Sequence, residues 1–239
     1  ELNTHIPYND LNALEIALQG NDVAAVLIET LPATAGFPMP IDGYHQAVEY
    51  LAHKYGALYI ADEVQTGMQR SGSMWACQHF GATPDMIVCG KGLSGGYYPM
   101  SAVIMNERAA AWMQQDGFAY TSSFNGTELG CIVASKVLDI LARKTTLANR
   151  DMLTDVFASG LRRVQARHAD FLVEIRQCGV IMGLKTAHPL GGQALMQAML
   201  HHGVWCMMAD FDRATVQAKL VNDQSLRRRC VEALGCGLD

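Results

Sequence analysis

Three stretches decide the fold: ALYIADEV at residues 57–64, DMIVCG at residues 85–90 and KGLSGG at residues 91–96. The first two are short apolar runs with little alternation between polar and apolar positions, which is typical of strands buried on both faces of a parallel sheet. The third is a turn of small residues that opens with Lys91. A strand that ends near a carboxylate, Asp62, is therefore followed by a strand that ends near a lysine.

Strands and helices alternate around these stretches. VAAVLIE at residues 23–29 and SAVIMNE at residues 101–107 have the composition of further strands, and residues 43–55 have apolar residues at helical spacing. This order predicts an α/β fold with a mostly parallel sheet and crossover helices. Residues 128–143 indicate another helix, whose expected inward residues are Ile132, Ala134, Val137, Leu138 and Ile140.

The second half of the chain has a less regular α+β pattern. We expect a boundary near residues 144–150, which divides the chain into a first domain at 1–146 and a small C-terminal domain at 147–239. The elements predicted in the second part are a helix at about 148–167, strands near 171–187, a helix at 192–202 and a final helix at about 223–234.

Composition excludes several classes of protein. The chain has 239 residues, half of them hydrophobic, and a net charge of −5, which gives no electrostatic reason to expect nucleic acid or an anionic membrane as a partner. We find no apolar run long enough to span a bilayer and no secretory signal. The seven cysteines form no C-x-x-C pair, so we expect reduced thiols in a cytoplasmic protein and no metal.

Asp62 and Lys91 carry the chemistry that the sequence predicts. An amine that forms a Schiff base with an aldehyde, and a carboxylate that keeps a pyridine nitrogen protonated, are the two protein groups that pyridoxal phosphate chemistry needs. Partial burial of Lys91 would favour the neutral amine. Taken singly, Asp62 could only cap the next segment and Lys91 could be an ordinary surface lysine. A nucleotide phosphate loop is excluded, because G-x-x-x-x-G-K-[ST] is absent.

Several motifs together carry a family resemblance. They are Ala61-Asp62-Glu63-Val64-Gln65-Thr66-Gly67, Arg70-Ser71-Gly72, Pro84-Asp85, Lys91-Gly92-Leu93-Ser94-Gly95-Gly96 and Pro99. In order and spacing they resemble the class III aminotransferases, the ornithine and 4-aminobutyrate aminotransferase group of the pyridoxal-phosphate-dependent enzymes of fold type I. The resemblance implies that residues 1–146 are the rear half of the cofactor-binding large domain.

The resemblance also implies a role for each matching residue. Asp62 would bind the pyridine nitrogen of the cofactor, Val64 would pack on one face of the ring, and Gln65 would hydrogen-bond its phenolic oxygen. Lys91 would hold the cofactor covalently and afterwards move a proton between the substrate and the cofactor. Ser123 would reach the cofactor phosphate of a neighbouring subunit, although serine in a turn is as often only a local backbone partner.

The sequence departs from the family in two respects. Thr34 stands where many members have a glutamate that takes part in choosing between substrate carboxylates, and Lys219 is the only cation in the stretch where its partner arginine would lie. The family's upstream part, with a second phosphate loop and a stacking aromatic residue, has no counterpart. We therefore expect an incomplete fragment that is not active alone, and the donor and acceptor stay open.

Transamination of an amino acid or amine with a keto acid or aldehyde is the reaction that the resemblance favours. Racemases and aminomutases remain alternatives, because relatives with the same aspartate and lysine differ only in how the substrate lies over the ring. A fragment that keeps the fold and needs another chain to complete its site is a third interpretation. The resemblance further implies a homodimer for the full-length protein.

Overall fold

The computed structural model describes residues 3–118, 120–188 and 190–209. Its helices and strands are α1 (Leu11–Leu18), β1 (Ala25–Glu29), α2 (Tyr44–Lys54), β2 (Leu58–Asp62), α3 (Ala76–His79), β3 (Met86–Cys89), β4 (Ala102–Met105), α4 (Glu107–Ala110), α5 (Glu128–Leu141), α6 (Lys144–Arg167), β5 (Leu172–Cys178), β6 (Ile181–Thr186) and α7 (Gly191–His201). Residues Lys91–Ser94 and Ala111–Gln114 form single 3-10 turns.

The described residues belong to two compact units. Unit 1 contains Glu1–Leu31, Met39–Thr154 and Cys178–Ile181, and unit 2 contains Pro32–Pro38, Asp155–Gln177 and Met182–Asp239, each in its described part. Both units are discontinuous in sequence. The division of the whole protein into domains at 1–146 and 147–239 stays a prediction.

Unit 1 is built on a four-stranded sheet in the order β1-β2-β3-β4. β1, β2 and β3 run parallel, and β4 is antiparallel to β3. Asp62 at the end of β2 is in register with Glu29 on one side and Val88 on the other. The carboxyl ends of three neighbouring strands therefore meet at one edge, and the prediction of a mostly parallel α/β sheet is confirmed.

The main core lies on one face of this sheet. Along β2, Tyr59 and Ala61 are fully buried, whereas the alternate residues Leu58, Ile60 and Asp62 are only half-buried. Helices α1 and α2 cover the buried face with Leu14, Leu18 and Val48 among others. The expectation of strands buried on both faces is therefore not met throughout the described chain, since Leu27 of β1 is 65% exposed.

Helix α5 was predicted with the right ends to within two residues but with too wide an inward face. Ala134 is buried and Val137 packs beside it in a second cluster, together with Met68 and Leu93. These inward positions follow the helical spacing of Gly130, Ala134, Val137 and Leu141. The three remaining candidates are exposed and were wrong: Ile132, Leu138 and Ile140.

The second half of the chain agrees with the predicted elements where it is described. α6 corresponds to the long helix, β5 and β6 form a two-stranded sheet, and α7 begins one residue before the predicted helix. Leu190 and Ala194 are buried at the start of α7. The predicted helix at 223–234 and Lys219 lie outside the described residues.

A buried aspartate links the amino ends of β2 and β3. Asp85 accepts hydrogen bonds from the Tyr59 backbone N–H at 2.8 Å and from Asn106 Nδ2 at 2.9 Å, and His53 Nε2 lies 2.8 Å from its carboxylate. Burial acts to raise the pKa of Asp85, but the hydrogen bonds outweigh it and hold the pKa below its ordinary value. This carboxylate stabilises the sheet at the edge opposite Asp62.

Replacing Asp85 with asparagine is expected to lower the free energy of unfolding by about 1–2 kcal/mol at neutral pH, because charge-assisted hydrogen bonds become neutral ones. A group whose pKa is depressed in the folded state stabilises the protein above its unfolded pKa. The difference in the free energy of unfolding between Asp85→Asn and wild type should therefore narrow as the pH falls below 3.8, the ordinary pKa of an aspartate side chain. Urea unfolding at several pH values measures it, and equal midpoints at pH 7 would contradict the prediction.

Candidate active site

The candidate site lies at the carboxyl edge of the sheet in unit 1. Asp62 is the last residue of β2, and Lys91 comes two residues after the end of the adjacent parallel strand β3. In parallel sheets, ligands bind at this edge, where loops supply polar groups on a rigid support. The topology thus brings together the two residues that the sequence singled out.

Asp62 has one carboxylate oxygen engaged and one open. Its Oδ1 accepts a hydrogen bond from the Val64 backbone N–H at 3.0 Å, which fixes the side chain against the turn. Within the described residues its Oδ2 has no hydrogen-bond partner, and the residue is half-buried. Asp62 can therefore accept an N–H from a ligand while the turn holds its orientation.

Lys91 and Gln65 meet across the two strand ends. Lys91 Nζ donates a hydrogen bond to Gln65 Oε1, so the amine is directed toward the β2 turn. The backbone of Lys91 has a φ of 38°, a left-handed conformation that costs a non-glycine residue free energy. Lys91 is exposed in the described chain.

Small residues let the two turns approach each other. A methyl group built on Gly90 would lie 3.7 Å from Val64 Cγ1, and one built on Gly92 would lie 3.2 Å from Met68 Cβ. Met68 is buried and packs with Leu93 in the second core cluster. The positions of the carboxylate turn and the lysine turn are therefore coupled by direct packing.

Glu63 lies between Asp62 and Val64 in sequence but does not face the site. It is fully buried, and its Oε1 accepts hydrogen bonds from Thr30 Oγ1 at 2.8 Å and the Cys77 N–H at 2.7 Å. Its Oε2 accepts from the Ala76 N–H at 3.0 Å and from Thr66 Oγ1. We call these groups the Glu63 network. Both oxygens of the Glu63 carboxyl group are thus engaged with buried polar partners.

The Glu63 network makes a cysteine nucleophile at Cys77 unfavourable. Burial, and secondarily the nearby Glu63 carboxylate, raise the pKa of the Cys77 thiol to about 12. A thiol with such a pKa is protonated at neutral pH and is a poor nucleophile. Lys91 therefore stays the predicted nucleophile of this part of unit 1.

A second buried polar group lies behind Thr30. The Thr30 carbonyl accepts a hydrogen bond from Tyr8 Oη at 2.8 Å, and His45 Nε2 lies 3.0 Å from the same oxygen. His45 Nδ1 lies 3.1 Å from Tyr59 Oη. A proton on Nε2 satisfies both contacts, because the carbonyl can only accept and the tyrosine hydroxyl can donate to Nδ1.

Glu63 and His45 are buried polar residues that were not predicted from the sequence. Strand alternation places Glu63 on the same face as Tyr59 and Ala61, which are buried. Helical spacing places His45 on the same face as Val48 and Ala52, which are also buried. The periodicity of the strand and of the helix thus predicts burial of both residues, whereas their polar side chains favour the opposite interpretation.

Ser123 is not brought to the other predicted residues within this chain. It begins the exposed turn Ser123–Gly126, just before α5. No hydrogen bond within the described residues joins it to Asp62, Gln65 or Lys91. Its role at a cofactor phosphate stays a prediction.

Replacing Gly67 with alanine is expected to disturb the loop that follows β2. A methyl group there would lie 2.7 Å from the Trp75 ring and 2.8 Å from the Glu63 carbonyl oxygen, inside van der Waals contact. We expect the free energy of unfolding to fall by about 1–3 kcal/mol, as at other overpacked sites. Gly117→Ala is the control, because a methyl group there meets no described atom within 4 Å. Equal melting temperatures for both variants would refute the prediction.

The described part of the chain holds no candidate metal cluster and no candidate membrane span. No three histidine, cysteine or acidic side chains are grouped there in a way that could hold a metal ion. None of the described helices combines the length and the apolar character that crossing a membrane requires. The donor set at the carboxyl edge is instead an open carboxylate oxygen, an amide and a primary amine, which fits the predicted aldehyde-bearing pyridine cofactor.

Comparison with known proteins gives the family. The profile of the family described as aminotransferase class-III matches residues 2–235. An uncharacterized aminotransferase of Archaeoglobus fulgidus is 39% identical over 212 residues, which cover 89% of this chain and 50% of the relative.

Solved structures of named aminotransferases have a similar fold. Acetylornithine aminotransferase from Elizabethkingia anophelis gives a TM-score of 0.76 at 31% identity, covering 86% of this chain and 52% of that one. Ornithine aminotransferase from Toxoplasma gondii, which has partial occupancy of pyridoxal phosphate at its active site, gives a TM-score of 0.76 at 28% identity. The match covers 84% of this chain and 47% of that one. The chain spans about half the length of these relatives. Because the family profile extends over nearly the whole chain, the protein belongs to the class III aminotransferases.

Proposed function

We propose that this chain forms part of a pyridoxal-phosphate-dependent aminotransferase, which moves an amino group between an amino acid or amine and a keto acid or aldehyde. The observation that carries the proposal is the meeting of the Lys91 and Gln65 side chains beside Asp62, whose Oδ2 is open, at adjacent strand ends. Family membership supports the same reaction. So does the cofactor named for the Toxoplasma gondii relative.

Bound pyridoxal phosphate supplies an aldehyde that condenses with an amine and a protonated ring that accepts electrons from a breaking bond. Asp62 Oδ2 would accept a hydrogen bond from the protonated ring nitrogen and so keep that proton in place. Val64 would cover part of the ring, and the Gln65 amide would hydrogen-bond the phenolic oxygen. Lys91 Nζ would be the amine that holds the cofactor, and it would also move a proton to and from the substrate carbon.

The substrate side of the site is less defined than the cofactor side. Thr34, which stands at the family's glutamate position, lies in the segment Pro32–Pro38 of unit 2 and is exposed. We propose a small amino donor and a carbonyl acceptor, with ornithine and acetylornithine as the first donors to assay because they appear in the relatives' names. The activity of the whole protein is part of this proposal, since the chain spans half of its relatives.

We also propose a homodimer in the cytoplasm for the whole protein. Exposed aromatic side chains near Ser123, among them Phe118 at 85% and Phe124 at 83%, support an interface there. The described cysteines are free thiols: Cys77, Cys89, Cys131, Cys178 and Cys206. Free thiols are typical of a reducing compartment. Light scattering of the natural full chain tests the dimer, and a monomer at micromolar concentration would contradict it.

Borohydride trapping tests the proposed function. The natural full chain is loaded with pyridoxal phosphate, reduced and digested, and the peptides are weighed by mass spectrometry. We expect the cofactor mass on the peptide that contains Lys91, and label on another lysine or on none would refute the site. In a second step, an amino donor should bleach the visible absorbance as the cofactor takes up the amino group. Retained absorbance with racemised donor would favour a racemase instead.

A further inference from the structure

We propose that Thr30 and Glu63 are positioning residues, whose buried hydrogen bonds hold the turn Asp62–Gln65 in the geometry that binds the cofactor. The inference rests on the proposed function and extends it to two residues that do not reach the cofactor edge. Both side chains are fully buried. Neither was among the residues that the sequence assigned to the site.

Glu63 is the one residue of the turn that is anchored in the interior. Its N–H donates to the Val88 carbonyl at 2.8 Å, and its carbonyl accepts from the Gly67 N–H at 2.9 Å. Its carboxylate accepts the four hydrogen bonds of the Glu63 network. Main chain and side chain are therefore both fixed at the centre of the turn, and the flanking side chains of Asp62 and Val64 take their direction from this point.

Thr30 extends the anchor to the neighbouring strand. It follows Glu29, the last residue of β1, which is in register with Asp62. Its hydroxyl donates to Glu63 and its carbonyl accepts from Tyr8, so one residue joins two buried polar groups. The ends of β1 and β2 are thus linked by a side-chain bond in addition to the sheet.

Loss of the Thr30 hydroxyl would leave Glu63 Oε1 with a single donor, the Cys77 N–H. A buried carboxyl oxygen that loses a hydrogen bond either moves toward another partner or recruits water. The backbone of Glu63 is continuous with Asp62 and Val64, and the Val64 N–H holds Asp62 Oδ1. Displacement of Glu63 is therefore transmitted directly to the carboxylate that faces the cofactor ring.

The experiment measures cofactor affinity in variants that keep the shape of the site. The apoprotein of the natural full chain is titrated with pyridoxal phosphate, and the visible absorbance gives the dissociation constant. Thr30→Val removes the hydroxyl at constant volume, and we expect the dissociation constant to rise about tenfold and kcat to fall in parallel. Thr30→Ser restores the hydroxyl and should lie within about twofold of wild type.

Two further variants separate positioning from stability. Thr66→Val removes a donor from the other carboxylate oxygen and should also weaken cofactor binding, which keeps the test decisive if Thr30→Val does not fold. Asp85→Asn is the matched control, since it weakens the hydrogen bonds of a buried carboxylate at the opposite edge of the same strands. It should lower the melting temperature and leave the dissociation constant unchanged.

The outcomes distinguish this inference from the proposed function. If the wild-type chain binds no pyridoxal phosphate, the proposed function itself fails. If the wild type binds and the folded threonine-to-valine variants bind equally well, the positioning role is overturned. A rise in the dissociation constant that appears equally in Asp85→Asn would also overturn it, because the effect would then follow from stability alone.

Discussion

Replacing Lys91 with alanine is expected to reduce transamination by at least about a thousandfold, because in the proposed function the same amine binds the cofactor covalently and transfers the proton. Cofactor binding should weaken and not vanish, since Asp62 and Gln65 remain at the adjacent strand end. The visible absorbance should become that of the free aldehyde. Steady-state assays of the natural full chain with an amino donor, together with cofactor titration, measure both effects.

Two variants control this prediction. Lys136→Ala removes another exposed lysine in unit 1, on α5, and should leave activity unchanged. Lys91→Arg keeps the positive charge and cannot form the covalent bond at neutral pH, so it should be as inactive as the alanine variant. Activity in Lys91→Arg above about a tenth of wild type would show that charge alone is needed, and would contradict the assigned role.

The sequence was sufficient to locate the carboxyl edge of the sheet because strand order and strand ends follow from simple rules. Alternating strands and helices imply parallel strands, and parallel strands bring their carboxyl ends to one edge. Asp62 and Lys91 were placed at that edge from the apolar runs that precede them, and the observed register of Asp62 with Val88 agrees. Neither residue's side-chain contacts were needed for this step.

The interior of the site was harder to predict because a buried charged residue looks like a surface residue in sequence. Glu63 was not predicted as a core residue, although its position in the alternation of β2 favours the core. Only the fold reveals the donors that satisfy it, since Thr30 and Cys77 are distant in sequence. Although Glu63 is adjacent to Asp62 in sequence, its side chain is buried in the core and does not face the site.

Helix α1 was missed for a different reason. Asp10 caps it by accepting a hydrogen bond from the Ala13 N–H at 2.9 Å, and Leu14 and Leu18 are buried at helical spacing. These signals are present in the sequence, but the helix has only eight residues and precedes the first recognisable strand. Short helices are stabilised mainly by packing, and the packing partner of α1 is α2.

Acidification from neutral pH to pH 4 is expected to destabilise unit 1 through His45. Burial lowers the pKa of His45 from 6.5 to about 4, although the Thr30 carbonyl acts in the opposite direction. The folded state therefore holds the neutral ring while the unfolded chain takes up a proton. The contribution of neutral His45 to the free energy of unfolding is fully present above pH 6.5. It is lost as the pH falls from 6.5 to about 4, by roughly 3 kcal/mol in total.

The titratable groups around His45 do not offset its loss of stability in acid. Tyr8 and Tyr59, whose hydroxyls lie 3.3 Å and 3.1 Å from the ring nitrogens, both have pKa values raised mainly by burial, so they remain neutral and give the imidazolium no counter-ion. The acid effect of Asp85 begins only below its ordinary value of 3.8, outside the His45 window. The two contributions can therefore be separated by pH.

Urea unfolding between pH 7 and pH 4.5, followed by circular dichroism, tests the role of His45. His45→Gln should be less stable at pH 7, because it loses the fitted contacts with Thr30 and Tyr59, and its stability should depend much less on pH across the window. His79→Gln replaces an exposed histidine of α3 and should keep the wild-type slope. If the wild-type and His45→Gln curves are parallel from pH 7 to pH 4.5, the buried ring does not bind the proton that drives the loss, and the assignment to His45 is wrong.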